Sequence, residues 1–278
     1  MDAIAEFERR AVPLADAGYE VPAISKVPGR EGYGWIDFEG LPNTRDLGGL
    51  PGADGRLIKR GLLLRSGALG FGSEADLVRL REDYNLQLVV DLRNDDELAE
   101  LPDPMDRFPG ARFLHANILT AETVGITQEK AARERARLER EADNPDPAQF
   151  MELLYPHLLL EDTGIAGYRA FLQAVLACEN GVALWHCYVG RDRCGMASAL
   201  MEALLGVPRE LMETDYLATN VYAPRELTSE GAASLRSFRA AAAAVEREFG
   251  GFMGYINKAL GITPDEVHDL RERYLERA

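Results

Sequence analysis

The stretch that decides the fold is Trp185-His186-Cys187-Tyr188-Val189-Gly190-Arg191-Asp192-Arg193-Cys194-Gly195. Residues 182–186 (VALWH) predict a buried strand leading into it, and residues 196–205 predict an apolar helix that stops at Gly206 and Pro208. A strand, a short polar loop and a helix form the repeating unit of an α/β sheet, and such sheets bind ligands at the carboxyl ends of their strands. The loop is therefore the first candidate for a functional site.

Outside this stretch the chain alternates between strand and helix patterns. Strands are predicted at residues 62–65, 86–92 and 112–115, and helices at residues 73–82 and 164–177. From residue 207 onward the pattern is helical, and a capping box at Thr263 opens a last helix that runs to about residue 276. The sequence predicts an α/β fold with a central, mostly parallel sheet flanked by helices. We expect a single domain over residues 1–278, with a helical C-terminal extension at 207–278.

One long segment, residues 120–162, interrupts the alternation and is interpreted as a helical insert. Residues 128–141 are rich in charge and in strong helix formers but offer little apolar surface, and residues 143–147 (DNPDP) break the pattern. Two interpretations stay open for this insert, a solvated surface excursion and a lid over a site.

Composition limits the partners and the compartment. The 278 residues include 31 basic and 46 acidic side chains, a formal charge of −15, which disfavours nucleic acid and anionic membranes as partners. Three cysteines, Cys178, Cys187 and Cys194, are too few for a disulfide framework and favour a reducing compartment. The N-terminus lacks a signal-peptide pattern and no apolar run reaches membrane-spanning length, so we expect a cytoplasmic protein, with non-classical secretion left open.

Each side chain of the loop has a chemical task. Cys187 faces the free amides of a helix N-terminus, whose field favours a thiolate, and a thiolate is a nucleophile. Arg193, six residues later, offers a planar fork of donors to two oxygens of an anion. Gly190 permits close backbone approach, Gly195 is expected to let the helix lie close to the sheet, and His186 to fix the entry of the loop.

The segment HCYVGRDRCG resembles the phosphate-binding loop of cysteine-dependent phosphatases. It is most similar to the bacterial tyrosine phosphatase family that includes mycobacterial protein tyrosine phosphatase B and a Listeria lipid phosphatase. Further stretches resemble landmarks of that family, namely NTRDLGGL (residues 43–50), RSG (65–67), VVDLRNDDE (89–97), DYLATN (215–220) and the tail from FGGFMGYINKALGIT to LRERYL.

The resemblance implies a cysteine-phosphatase-like fold, no cofactor and no metal. Cys187 would attack the phosphorus of a phosphomonoester, forming a phosphocysteine that water hydrolyses. Arg193 and the loop would hold the phosphate, and the remaining residues of this substrate-binding set are Tyr188, Val189, Gly190, Arg191, Cys194 and Gly195. Asp192 would be the general acid, although it could merely pair with a neighbouring arginine. Asp91 is the second candidate acid, or a residue that orients the loop together with Arg93.

Two positions depart from the family pattern. Arg191 stands where relatives often have lysine, and an additional cation favours a multiply charged head group such as a phosphoinositide. Cys194 stands where threonine or serine is usual. Because a thiol is the weaker hydrogen-bond donor, we expect slower breakdown of the phosphocysteine. Cys194 could also trap an oxidised Cys187 as a disulfide.

The function predicted is therefore hydrolysis of phosphotyrosine in proteins, with phosphoinositides as a possible second substrate class and phosphate or vanadate as ligands of the site. Two alternatives stay open, a phospho-ligand binding module without turnover and a sulfurtransferase. His115 and His157 have no second ligand at metal spacing, so no metal site is predicted.

Overall fold

The computed structural model describes residues 3–119, 147–224 and 232–277, and within these ranges five strands form one sheet. The strands are β1 (Arg45–Asp46), β2 (Leu63–Ser66), β3 (Leu86–Asp91), β4 (Arg112–His115) and β5 (Val182–His186). Their order across the sheet is β1-β2-β5-β3-β4, in which β1 is antiparallel to β2 and all other neighbours are parallel. The predicted mostly parallel sheet is confirmed, and the strand that carries the loop lies at its centre.

Helices flank the sheet on both faces. They are α1 (Ala3–Asp16), α2 (Glu74–Glu82), α3 (Asp95–Glu100), α4 (Pro147–Leu160), α5 (Asp162–Leu176), α6 (Asp192–Leu205), α7 (Arg209–Leu217), α8 (Thr219–Tyr222), α9 (Leu235–Phe249), α10 (Phe252–Lys258) and α11 (Pro264–Tyr274). Ser73 and Thr263 cap α2 and α11 with the reciprocal hydrogen bonds of a capping box. The predicted helix at residues 128–141 lies outside the described residues, as does most of the predicted insert.

The prediction for α6 is wrong at its first residue. The apolar pattern placed the helix start at residue 196, whereas α6 begins at Asp192. Polar residues are common in the first turn of a helix because the backbone amides there lack partners. Asp192 and Arg193 therefore lie in the first helical turn and not in the preceding loop.

Alternating side chains of the strands build two cores. Ala183 and Trp185 of β5 face the larger core, whereas Val182 and Leu184 face a smaller one that also contains Leu80 of α2. Helix α6 is buried along almost its whole length in the larger core. Strand β5 is buried on both faces, and its carboxyl end leads directly into the loop that begins at Cys187. Sheets of this kind bind ligands at that end of their strands.

The segment from residue 207 onward shares the larger core. Phe238 of α9, Tyr255 of α10 and Leu270 of α11 belong to the same apolar cluster as Trp185. In the described residues, no helix combines the length and the apolar character needed to cross a membrane.

Candidate active site

The loop from Cys187 to Arg191 joins β5 to α6 and requires glycine at one position. Gly190 has φ of +71°, and a Cβ on it would lie 2.6 Å from the carbonyl oxygen of Ser66. Both the backbone angle and the contact exclude other residues without strain. Val189 is buried, and Tyr188 packs edge-on against Phe71 with ring centroids 5.5 Å apart.

A Cβ at Gly195 would meet neighbours on two elements. It would lie 2.9 Å from Cδ2 of the Tyr216 ring in α7 and 3.7 Å from Nη2 of Arg65 in β2. Gly195 thus lies on the side of α6 that packs against α7. It permits a close helix–helix contact there.

Cys187 follows directly on β5 and is 2 % exposed. The first turn of α6, a helix of 14 residues, begins five residues later. The backbone amides of this turn and the positive end of the helix dipole lie here, and both favour an anion.

The guanidinium of Arg193 is clamped by a carboxylate that the sequence did not single out. Its Nη1 donates to Oε2 of Glu97 at 2.5 Å and its Nη2 donates to Oε1 at 2.9 Å. Burial opposes the charge of Arg193, but Glu97 and Cys187 outweigh it and the pKa of Arg193 is raised. The Nε of Arg193 is buried and has no hydrogen-bond partner among the described residues. A buried donor of this kind fits an anion oxygen.

Glu97 is itself fixed by the start of α3. Its carboxylate accepts a hydrogen bond from the amide of Asn94, and the side chain of Asn94 accepts one from the amide of Glu97. This capping box is visible in the sequence as Asn94-Asp95-Asp96-Glu97. The pattern could have located the helix start, but not the arginine that the carboxylate reaches.

Asp192 is held by two partners. Nε of Arg191 lies 3.0 Å from each carboxylate oxygen of Asp192, and the hydroxyl of Tyr155 donates a short hydrogen bond to the same carboxylate. Burial opposes the positive charge of Arg191 and would lower its pKa. The neighbouring Asp192, Tyr155 and Tyr216 outweigh this effect, so the pKa of Arg191 is raised. Arg191 and Asp192 therefore form a buried ion pair, which was the alternative interpretation of Asp192.

Asp91 and Arg93 form a second buried pair beside the loop. Arg93 donates to both oxygens of Asp91 at 2.8–3.1 Å, and its Nη2 also lies 3.1 Å from Asp103. Asp103 in turn lies 3.0 Å from Nε2 of His186, whose Nδ1 lies 3.1 Å from the carbonyl of Cys187. Asp103 was not singled out in the sequence. These contacts link Asp91 and Arg93, through Asp103, to His186 at the start of the loop.

Asp91, Asp103 and His186 lie close enough together to ligate a metal ion, but the guanidinium of Arg93 already binds both carboxylates. One ligand atom each of Asp91, Asp103 and His186 lies within 4.8 Å of the other two. The guanidinium of Arg93 is bonded to both carboxylates and supplies the positive charge between them. These residues therefore fit an ion-pair network that does not require a metal.

Cys194 is fully buried in the first turn of α6. Its Sγ lies 3.7 Å from the carbonyl oxygen of Trp185, which it contacts as a donor. Burial raises the pKa of Cys194 to about 12, so it is a neutral thiol at physiological pH. Cys178, also free and buried, donates to the carbonyl of Asn180.

Comparison with known proteins identifies the family to which the chain belongs. A model of the tyrosine phosphatase family matches residues 36–276, so the chain belongs to the tyrosine phosphatase family. It is similar to a protein of Cupriavidus necator named as a candidate tyrosine-protein phosphatase, with 33 % identity over 202 residues covering 72 % of this chain and 67 % of that protein. It is also similar to a tyrosine-protein phosphatase of Nostoc commune, with 23 % identity over 251 residues covering 80 % of this chain and 77 % of the relative.

Proposed function

We propose that the protein hydrolyses phosphotyrosine through a phosphocysteine formed on Cys187. Its membership of the tyrosine phosphatase family supports a phosphatase. The observation that carries the site assignment is the buried Nε of Arg193, a donor without a partner among the described residues, in a guanidinium that Glu97 fixes six residues beyond the cysteine.

The proposed reaction has two steps. The Cys187 thiolate attacks phosphorus, the bond from phosphorus to the tyrosyl oxygen breaks, and that oxygen takes a proton from Asp192. This step requires Asp192 to be protonated when the substrate binds, and so to give up its ion pair with Arg191. Water then attacks phosphorus, the sulfur–phosphorus bond breaks, and Asp192 accepts the proton of the water while the thiolate is restored. Arg193 and the amides of the loop stabilise the oxygens of phosphorus in both steps.

Asp192 is the better of the two candidate acids. Asp91 accepts hydrogen bonds from Nε, Nη2 and the backbone amide of Arg93, so its carboxylate is fully engaged as an acceptor. Asp192 also accepts hydrogen bonds, from Arg191 and from the Tyr155 hydroxyl, and the preference for it rests on its place immediately before Arg193, at the end of the loop that begins with Cys187. We assign Asp91 and Arg93 to orienting His186.

Phosphotyrosine is proposed as the substrate class and phosphoinositides only as a second one. The names of both relatives refer to tyrosine phosphatases. The case for a phosphoinositide was the additional charge of Arg191, and the ion pair with Asp192 reduces that charge. The three free cysteines support a reducing compartment, and we place the protein in the cytoplasm on that basis. The landmark stretches support a closer kinship with the mycobacterial and Listeria enzymes.

The test is hydrolysis of phosphotyrosine peptides, phosphoserine peptides and phosphoinositides by the purified protein and by Cys187→Ser. We expect vanadate-sensitive turnover of the tyrosine peptides and a fall to below about one thousandth in the variant. Turnover that survives in Cys187→Ser would exclude the cysteine mechanism. Binding of phosphopeptides without turnover would instead identify a binding module.

A further inference from the structure

A group of buried polar side chains lies behind the loop and joins parts of the chain that the catalytic assignment leaves unused. We call Asn43, Arg45, Arg65 and Asp215 the carbonyl frame. All four are at most 1 % exposed. They come from the stretches NTRDLGGL, RSG and DYLATN, so the frame brings together β1, β2 and α7.

Two members of the frame bind carbonyl groups of the loop. Nδ2 of Asn43 donates to the carbonyl oxygen of Gly190 at 2.8 Å and to that of Val189 at 3.3 Å. Nη2 of Arg65 donates to the same Gly190 oxygen at 2.9 Å. The Gly190 carbonyl therefore has two donors, one from each side chain.

Asp215 and Arg45 hold these two side chains in place. One carboxylate oxygen of Asp215 lies 2.9 Å from Nη1 of Arg65, and the other lies 2.9 Å from Nη1 of Arg45. Nε of Arg45 donates to Oδ1 of Asn43 at 3.2 Å. Arg30 adds a third contact to Asp215, at 3.2 Å. Burial opposes the negative charge of Asp215, but these arginines outweigh burial and lower the pKa of Asp215. The Asp215 side chain therefore stays an anion.

The carbonyl contacts determine where the loop amides point. In a planar trans peptide the C=O of one residue and the N–H of the next are antiparallel. The bonds to the Val189 and Gly190 carbonyls thus turn the amides of Gly190 and Arg191 away from the frame and towards the inside of the loop. The positive φ of Gly190 is part of the same arrangement.

We propose that Asn43 and Arg65 are positioning residues that hold the loop in its anion-binding conformation. The proposal rests on the proposed function, because it presumes that the loop receives the phosphate. Neither side chain needs to touch the substrate. Each acts by fixing a peptide plane whose amide does, so the frame determines how tightly an oxyanion binds.

The decisive variant is Asn43→Asp, which keeps the size of the side chain and removes the Nδ2 amide that donates to the Val189 and Gly190 carbonyls. Its matched control is Asn220→Asp, in the DYLATN stretch that also carries Asp215. Nδ2 of Asn220 also donates to two backbone carbonyls, of Glu20 at 2.6 Å and of Ala233 at 2.8 Å, but neither belongs to the loop. Both variants lose the same kind of contact, and only the first changes the loop.

Binding of inorganic phosphate is measured by calorimetry in a Cys187→Ser background, and inhibition by vanadate is measured in the active enzyme. We expect Asn43→Asp to weaken both by about tenfold or more and to raise KM, while Asn220→Asp leaves them within about twofold. Unchanged anion affinity in Asn43→Asp, or equal losses in the two variants at equal stability, would overturn the proposal.

A second variant covers the case in which Asn43→Asp does not fold. Arg65→Lys keeps a cation opposite Asp215 but cannot reach the carboxylate and the Gly190 carbonyl with one planar fork. We expect the same loss of phosphate affinity, and wild-type affinity in this variant would contradict the proposal. If the otherwise unchanged Cys187→Ser protein binds no phosphate and the wild type has no activity, the proposed function itself fails, which is a different result.

Discussion

The carboxylate of Glu97 holds both terminal nitrogens of Arg193, at 2.5 and 2.9 Å, although the two residues lie 96 positions apart. Glu97 belongs to α3, which follows β3, and Arg193 belongs to α6, which follows β5. Because β3 and β5 are parallel neighbours, their carboxyl ends meet at the same edge of the sheet. The pair therefore depends on strand order, and it leaves the Nε of Arg193 without a hydrogen-bond partner in the part of the chain that the structure describes.

Glu97→Gln tests whether this clamp serves the site. The amide keeps the size of the side chain and one acceptor oxygen, but it removes the charge and the second acceptor that fix the guanidinium. We expect kcat/KM for an aryl phosphate to fall by about tenfold to a hundredfold, the range of a charge-assisted hydrogen bond. Urea unfolding of the same variant separates a local effect from a loss of stability. Full activity would show that Arg193 needs no clamp.

Asp192→Asn tests the general acid through the leaving group. A phenol leaves with difficulty unless it is protonated, whereas a nitrophenol leaves readily as an anion. We expect a loss of about 10² to 10⁴ in kcat with phenyl phosphate and a much smaller loss with para-nitrophenyl phosphate. Tyr155→Phe removes one hydrogen bond to Asp192. We expect it to lower kcat less than Asp192→Asn does, and again more with phenyl phosphate than with para-nitrophenyl phosphate. Equal losses on both substrates would show that Asp192 is not the general acid and serves only as the ion-pair partner of Arg191.

Cys194→Thr tests the departure from the family pattern. The Cys194 thiol is neutral and directed at the Trp185 carbonyl, so it contributes little to stabilising a departing thiolate. We expect the hydroxyl to speed phosphocysteine hydrolysis about fivefold and to reduce the pre-steady-state burst, as measured by rapid quench. Cys178→Ala, a second buried cysteine outside the site, serves as the control. Unchanged turnover and burst in Cys194→Thr would show that the thiol is sufficient. The disulfide with Cys187 stays a prediction.

His186 should make stability depend on pH. Both ring nitrogens contact oxygens that can only accept, the carboxylate of Asp103 and the Cys187 carbonyl, so the doubly protonated ring fits. Burial opposes that charge, but Asp103 and Asp91 outweigh it and the pKa of His186 is raised, with Arg93 acting in the opposite direction. The folded state thus binds the proton more tightly than the unfolded state. The stabilisation is complete below about pH 6.5 and is lost as the pH rises through the folded-state pKa.

Urea unfolding between about pH 6 and 9 measures this dependence. We expect the free energy of unfolding of the wild type to fall with pH by up to about 1.4 kcal/mol per unit, and Asp103→Asn to flatten the fall. His157→Gln, at an exposed histidine that contacts Glu161, is the matched control. An NMR titration of the His186 ring at or below its ordinary value would contradict the assignment.

The sequence alone was sufficient for features that depend on near neighbours. The loop HCYVGRDRCG, the strand at residues 182–186, the helix at residues 73–82 and the capping box at Thr263 were all readable because each is specified within a few residues. The mostly parallel sheet followed from the alternation of such elements. The start of α6 was missed because its first turn is polar and carries no apolar period.

Pairings between distant residues were decided only by the tertiary structure. Glu97 with Arg193, Asp103 with His186, Tyr155 with Asp192 and Asn43 with Gly190 lie between 37 and 147 positions apart. The charge on Arg191 was evident in the sequence, whereas its neutralisation by Asp192 depended on the turn into α6. Local patterns determine which element forms. The order of strands in the sheet and the packing of helices on it determine which side chains share a buried space, and the roles of these side chains follow from that proximity.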